Sequence, residues 1–379
     1  MGFVLTEEQQ ILRDSAKGFI AEKSPVTELR RLRDSNDENG FDTGLWSQMA
    51  EMGFAGIIIP EEYGGAGFGY RGLGLVLEEA GRTLAASPLV STSLLCASAL
   101  LIGGSEDQKK ALLPEIASGN LVMALAMDEG AHHNPANIEA SAAKDGDGYV
   151  LNGTKSFVLD GHVAGKLIVA ARTSGARGDT SGLTLFIVDG NAAGVTRKRH
   201  IMVDSRNAAE ITLKDVKVAA GDVLGRADNG FEILSETLDR ARIGLAAEML
   251  GSLQEAYERT IEYLKERKQF GVVIGSFQGL KHRAAKMFCD IELCKSVVAD
   301  ALDAIDERRN DIAQAASLAK ARVGAAFNEI SSEAVQMHGG IGVTDEYEIG
   351  FFLKRARVAD ATFGNVAFHS QRYAELEGY

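Results

Sequence analysis

Residues 263–287 read YLKERKQFGVVIGSFQGLKHRAAKM. Within that run Arg267, Gln269, Phe270, Gly271, Phe277 and Gln278 occupy a turn between two stretches of helical periodicity. The apolar spacing predicts long helices from Phe231 to about Lys265, from Phe277 to Ile305, and from Ile312 to Met337, the last stopping at Gly339-Gly340. Three helices of this length predict a bundle. Taken alone, a helical hairpin accounts for the turn residues. The double glycine in QMHGGIGVTDEYEIGFFLKRARV (336–358) suits a plain helix stop, and it also suits close approach of a ligand to bare amides.

Upstream of the bundle the pattern changes. From Leu121 the runs LVMALAM, IEASA, YVLNG, SFVLD, KLIVAAR, LTLFIVD, GVTRKRH and AEITLKDVKV alternate with Gly, Asp and Asn, which predicts a strand-rich middle ending near Gly225. Before Leu121 the pattern is helical again. Thr6 and Gln9 are spaced as a capping box ahead of Ile11, Leu12, Ala16, Phe19 and Ile20, and Ser105 and Gln108 repeat the device. The expected domains are a helical one over 1–120, a β domain over 121–226 and a helical bundle over 227–379. With only 5 prolines and no low-complexity linker, these are expected to pack together.

Composition narrows the function. The 53 acidic residues outnumber the 40 basic ones, and a net charge of −13 repels phosphate backbones and anionic headgroups, so neither nucleic acid nor a membrane is an expected partner. The three cysteines fit no zinc or redox spacing and point to a reducing cytoplasm. Glu7 and Glu8 stand where an export signal needs basic residues and an apolar run, so the mature chain is expected to begin at Met1. Thr83 to Ser105 carries no charge, but its continuous apolar part, Leu94 to Ile102, is far below the ~20 residues of a membrane span and reads as a buried helix.

Several motifs of known chemistry are weak or missing. Gly67, Gly69 and Gly72 make a formal GxGxxG, but Pro60 and loop residues separate them from Ile57-Ile58-Ile59, so a surface loop is expected in place of a dinucleotide fold. His132-His133 has no partner ligands at metal-binding spacing, and a loop pair is expected with no metal. No Gly-x-Ser-x-Gly or nucleophilic cysteine context occurs.

The two constellations at 263–287 and 336–358 follow a central strand domain. Together with PEEYGGAG (60–67), LLPEIASGNLVMALAM (112–127), LNGTKSFVLDG (151–161) and LDRARIGLAAEMLG (238–251), they resemble the acyl-CoA dehydrogenase family over nearly the whole chain. The resemblance implies an α+β, mainly α fold: an α-helical amino-terminal domain, a central β-barrel-like domain and a carboxy-terminal four-helix bundle, assembled as a dimer of dimers around FAD. It further implies that Arg267 and Phe270 reach the FAD of a neighbouring subunit, with Gln278, Gln336, Gly339 and Gly340 at the adenosine end. Phe157 resembles the aromatic that packs on the flavin, with Val158 and Leu159 beside it, and Met127, Asp128 and Glu129 match the loop that meets the ring. After that loop, GAHHNPAN departs from the family's pattern, and a carboxylate at Asp128 would oppose an anionic reduced flavin. Asp239 and Arg242 match a polar pair used structurally or near the thioester.

The resemblance breaks at the base. The family glutamate falls at Phe363, just before Gly364 in ARVADATFGN, and the alternative position on the first bundle helix is Ala241. Neither side chain accepts a proton, so the catalytic residue is unassigned. The implied reaction is α,β-dehydrogenation of an acyl-CoA thioester with hydride to flavin N5. An electron-transfer flavoprotein or similar acceptor takes the electrons, within a homotetramer or an α2β2 heterotetramer whose partner supplies the glutamate, as in members acting on steroid or branched side chains. A flavin monooxygenase or oxidase of the same fold, or a non-catalytic subunit, are the alternatives.

Overall fold

The computed structural model describes residues 4–379. Met1 to Phe3, where the mature chain was expected to start, lie outside the described residues. Among the described residues six α-helices precede the sheet: α1 (Glu7–Lys23), α2 (Val26–Asp34), α3 (Thr43–Glu51), α4 (Gly69–Arg82), α5 (Ala97–Gly103) and α6 (Glu106–Ala117). The strands are β1 (Met123–Ala126), β2 (Ser141–Asp145), β3 (Gly148–Leu159), β4 (Lys166–Arg172), β5 (Leu183–Asp189), β6 (Val195–Ile201), β7 (Asn207–Val218) and β8 (Val223–Leu224). Then come α7 (Gly230–Glu266), the short strands β9 (Lys268–Gln269) and β10 (Val272–Val273), and α8 (Gln278–Asp306), α9 (Ile312–His338), α10 (Ile349–Ala361) and α11 (Val366–Leu376). Helix accounts for 55% of the chain, so the fold is mainly α with a sheet-bearing middle and carboxy-terminal helices.

Contacts divide the chain into two compact units, one of residues up to 31, 70–85 and 242–379, the other of 32–69 and 86–241. In the second unit the strand order is β6-β7-β3-β2-β4-β5-β8, with β1 parallel to β4. Strands β4 and β5 are buried nearly throughout, whereas β6 at one edge alternates between exposed and half-buried. The runs YVLNG and SFVLD, read as two strands, are one strand, β3. It pairs antiparallel with β7 and is interrupted by shifts in register between Leu151 and Gly153 and between Lys155 and Val158. Ile57-Ile58-Ile59 forms turns and no strand, so the glycines that follow have no βαβ setting.

The uncharged stretch ahead of α5 is a wholly buried π-helical segment, Leu89–Cys96. Its hydroxyls are tolerated because they are bonded: Ser91 donates to Asp160 Oδ2 at 2.6 Å, and Thr92 donates to Met123 O at 3.0 Å. Among the described residues no helix is long and apolar enough to cross a membrane. Both capping boxes form, Thr6 with Gln9 and Ser105 with Gln108.

In the helical unit α4 and α7 cross backbone to backbone. A Cβ on Gly81 would stand 1.9 Å from Glu248 O, and one on Gly251 would stand 1.8 Å from Glu78 O. Each helix thus offers a glycine to the other's carbonyl. On propensity alone Gly251→Ala would stabilise a mid-helix position by roughly 1 kcal/mol. The crossing predicts the opposite sign, a loss of about 1–3 kcal/mol as the helices are forced apart. A denaturant melt of the variant decides, and a gain in stability would remove the crossing from the account.

Candidate active site

The middle unit builds its site around β3. At the second register shift Phe157 adopts φ +51, a conformation costly for a residue with a Cβ, and its side chain is 60% exposed. A large aromatic held out on strained backbone points to a surface that something covers. Val158 is buried and pairs with Ala209, and half-buried Leu159 pairs with Ala208.

Buried Met127 and the loop after β1 lie alongside. Asp128 O accepts from Ser156 N at 2.7 Å, fixing the loop to the residue before Phe157. Glu129 organises the rest, accepting from Glu139 N at 2.6 Å, from Ala140 N at 2.9 Å, and from Lys155 Nζ at 2.6 Å. Lys155 is fully buried and also reaches Met127 O at 3.3 Å. Burial lowers its pKa, and the Glu129 carboxylate opposes that shift. Asp128 faces His133, whose Nδ1 lies 3.3 Å from the carboxylate, while Asp128 Oδ1 is buried with no hydrogen bond. The sequence reading made His132-His133 a plain loop pair. The structure gives His133 a carboxylate partner, which the five-residue separation alone did not reveal.

The helical unit carries the second set. Phe270 (φ +54) and Gly271 (φ +79) form the tight turn of the β9–β10 hairpin, which needs positive φ at both central residues. Phe270 is 90% exposed, with the Phe277 ring edge-on at 6.2 Å. Arg267, Gln278, Gln336, Gly339 and Gly340 are all exposed. A Cβ on Gly339 or Gly340 would meet nothing within 4 Å, and Gly339 has φ +66. Tyr263 joins the two constellations: His338, buried at the end of α9, stacks on it with ring centroids 4.3 Å apart, Tyr263 Oη donates to His338 O at 3.3 Å, and the Tyr347 ring meets it edge-on at 6.2 Å. The ends of α7 and α9 are thereby held together. Sequence reading missed His338 because its role depends on a ring 75 positions away.

The two positions that the resemblance sets against a family base both carry apolar side chains. Ala241 is fully buried, and Phe363 is buried with φ +59. The Phe363 carbonyl accepts from Arg242 Nε at 3.2 Å and from His369 Nε2 at 3.1 Å, while Lys320 Nζ donates to Asp360 O at 2.9 Å and Gly364 O at 3.0 Å. A set of buried basic side chains therefore grips residues 360–364 by their carbonyls. Asp360 accepts from Val366 N at 3.2 Å. Asp239 and Arg242 are both buried, and Arg242 lies over the Phe368 ring at 5.5 Å besides bonding Phe363 O. Burial pushes Lys320 down to about 7.

His369 gives a pH prediction. Burial, then the Arg242 and Lys320 charges, push it to about 2, so it is neutral and donates through Nε2. Because the folded value lies below the unfolded 6.5, the unfolded chain binds more protons in that interval, and stability falls as pH drops below about 6.5. His369→Gln, which keeps a donor for Phe363 O, is expected to flatten the fall of the melting midpoint between about pH 7 and pH 5. An unaltered slope would rule His369 out as its source.

The residues fit FAD. An exposed aromatic on strained backbone at Phe157 suits a flat ring laid against it. In the other unit, an exposed guanidinium and an open double-glycine helix end suit a pyrophosphate and ribose. Among the described residues no cluster of three metal-ligating side chains occurs.

Comparisons with known proteins bear on the family. The family models for the acyl-CoA dehydrogenase N-terminal, middle and C-terminal domains match residues 6–120, 124–216 and 228–375. The caffeyl-CoA reductase–Etf complex subunit CarC of Acetobacterium woodii is 34% identical over 359 residues, 93% of each chain. Butyryl-CoA dehydrogenase from Megasphaera elsdenii superposes with a TM-score of 0.92 at 29% identity over 100% of both chains. A chain of the ChsE4–ChsE5 complex from Mycobacterium tuberculosis does so with a TM-score of 0.90 at 26% identity, also over 100% of both.

Proposed function

Because the chain belongs to the acyl-CoA dehydrogenase family of FAD-dependent oxidoreductases, we propose that it is the base-less subunit of a heteromeric acyl-CoA dehydrogenase, with the carboxylate supplied by a partner chain. One observation carries this reading: Phe363 and Ala241, which the resemblance sets against the family's two base positions, are buried and apolar, and the Phe363 carbonyl is gripped by Arg242 and His369. The structural likeness to a chain of a two-subunit complex supports the heteromeric arrangement, as an α2β2 tetramer in preference to a homotetramer. We assign the amino-terminal, middle and carboxy-terminal domains to 1–120, 121–226 and 227–379.

When bound, FAD supplies the two-electron acceptor for the hydride that leaves the β-carbon of an acyl-CoA thioester. The chain's own residues bind and orient it. Arg267, charged at every working pH, neutralises the pyrophosphate, and Phe270, Gln278, Gln336 and the amides at Gly339 and Gly340 hold the adenosine end, all for a neighbouring subunit. Phe157 and Leu159 of β3, with Met127 and Asp128, border the ring. Asp239 and Arg242, matched by the resemblance to a polar pair, are assigned to the thioester end. Electrons leave to an electron-transfer flavoprotein, a reading supported by the naming of the A. woodii relative, and the three cysteines, at no zinc or redox spacing, support a cytoplasmic setting.

The test is the visible spectrum of the FAD-loaded chain under anaerobic acyl-CoA. The chain alone is expected to stay yellow across a panel of thioesters and to bleach once a base-bearing partner is added. Bleaching of the isolated chain at an ordinary enzymatic rate would end the base-less reading.

A further inference from the structure

We infer that a cleft of the helical unit binds a small zwitterion with an apolar body, an amino acid by class, seating its ammonium on Glu78 and Gln254 and its carboxylate on Arg13 and Lys295. The inference rests neither on the proposed cofactor site nor on the missing base.

The cleft has a volume of about 550 Å³ and lies among α1, α4, α7 and α8, wholly within one compact unit. That size is in the range of small-molecule sites. Leu5, Leu75, Leu250, Val298 and Leu302 give it an apolar wall. Glu78 of α4 and Gln254 of α7 give it a pair of acceptors. Glu78 Oε1 accepts from Gln254 Nε2 at 2.8 Å, and among the described residues neither Glu78 Oε2 nor Gln254 Oε1 accepts a hydrogen bond and Glu78 forms no ion pair. An ammonium is all donor, with three N–H bonds to place, and so complements such a pair.

A plain amine is the poorer occupant. Burial raises the Glu78 pKa, while the Gln254 bond and the charges of Arg82, Lys295 and Arg13 oppose that shift, so Lys295 and Arg13, which line the cleft, act on the same carboxylate. They would repel a lone ammonium. A carboxylate on the same ligand turns that repulsion into attraction, and both cations have donors to spare. Arg13 gives Nη2 to Gln10 Oε1 at 2.9 Å and Lys295 gives Nζ to Glu292 Oε1 at 2.7 Å, with side chains 40% and 43% exposed. Arg71, also on the wall, is committed to Ala299 O at 3.0 Å and to Asp303, and is left out of the seat.

The experiment is isothermal titration calorimetry of the FAD-loaded chain with L-phenylalanine and with its two halves: 3-phenylpropanoate, which lacks the ammonium, and 2-phenylethylamine, which lacks the carboxylate. Phenylalanine is expected to bind once per chain, and each half about tenfold or more weakly, the usual worth of hydrogen bonds to a charged group. Glu78→Gln is expected to erase the advantage of phenylalanine over 3-phenylpropanoate, and Arg13→Ala with Lys295→Ala its advantage over 2-phenylethylamine. The second variant alters only side chains that reach solvent, so it tests the seat even if the first fails to fold. Absence of phenylalanine binding to wild type, either half binding as tightly as the whole, or either advantage surviving in its variant overturns the inference. None of these results touches the bleaching on which the proposed function is tested.

Discussion

Phe363→Glu is expected to raise the rate at which acyl-CoA bleaches the FAD-loaded chain by about 10²- to 10⁴-fold, the usual worth of a positioned general base. The backbone at 363 already sits at φ +59, so glutamate inherits a conformation that phenylalanine tolerates. The backbone there is held in place, because Arg242 and neutral His369 donate to the carbonyl of residue 363 and Lys320 donates to those of 360 and 364. Burial at 363 pushes an introduced carboxylate up, the direction a general base needs, while the Arg242 charge opposes that shift and His369 is neutral. Phe363→Gln is the control, similar in size and polarity but without basicity. Anaerobic stopped-flow in the visible flavin band separates the two. A glutamate variant no faster than the glutamine one would mean that position 363 does not face the reacting carbon.

The second large effect concerns stability. Glu248 on α7 and Arg355 on α10 form an ion pair whose side chains are 2% and 8% exposed, with Arg355 Nη2 3.0 Å from both carboxylate oxygens. Removing one partner leaves the other charge buried, and Glu248→Ala is expected to cost about 3–5 kcal/mol. Replacing both, as in Glu248→Leu with Arg355→Met, removes the desolvation cost along with the attraction and is expected to restore most of that loss. Urea melts of the singles and the double close the cycle. If Glu248→Ala cost under about 1 kcal/mol, the pair would have to be treated like one at the surface.

Local chemistry is what the sequence expressed most plainly. The capping boxes at Thr6 and Ser105 formed because cap and acceptor lie three residues apart. The ends of α8 and α9 fell within a residue or so of the periodic pattern for the same kind of reason. Conformations paid for by distant packing were hidden. Phenylalanine at 157, 270 and 363 is a poor choice for positive φ, so nothing in the sequence announced those turns. Asn152 and Gly153 look like a turn between two strands, yet they form an irregularity within β3 because β7 is long enough to pair across both halves. The grip on residues 360–364 draws on positions 242, 320 and 369, a grouping no spacing rule predicts.

The paired glycines of α4 and α7 also bear on how the chain is made. Helix α4 emerges from a ribosome roughly 150 residues before α7, which at ~5–20 residues per second leaves it about 10–30 s without the helix that covers Gly81. During that interval its buried face, Leu73, Leu75, Val76 and Leu77, has no permanent cover. Nascent chains stalled before residue 230 are therefore the ones a hydrophobic-binding chaperone would retain, and release would follow synthesis of Gly251.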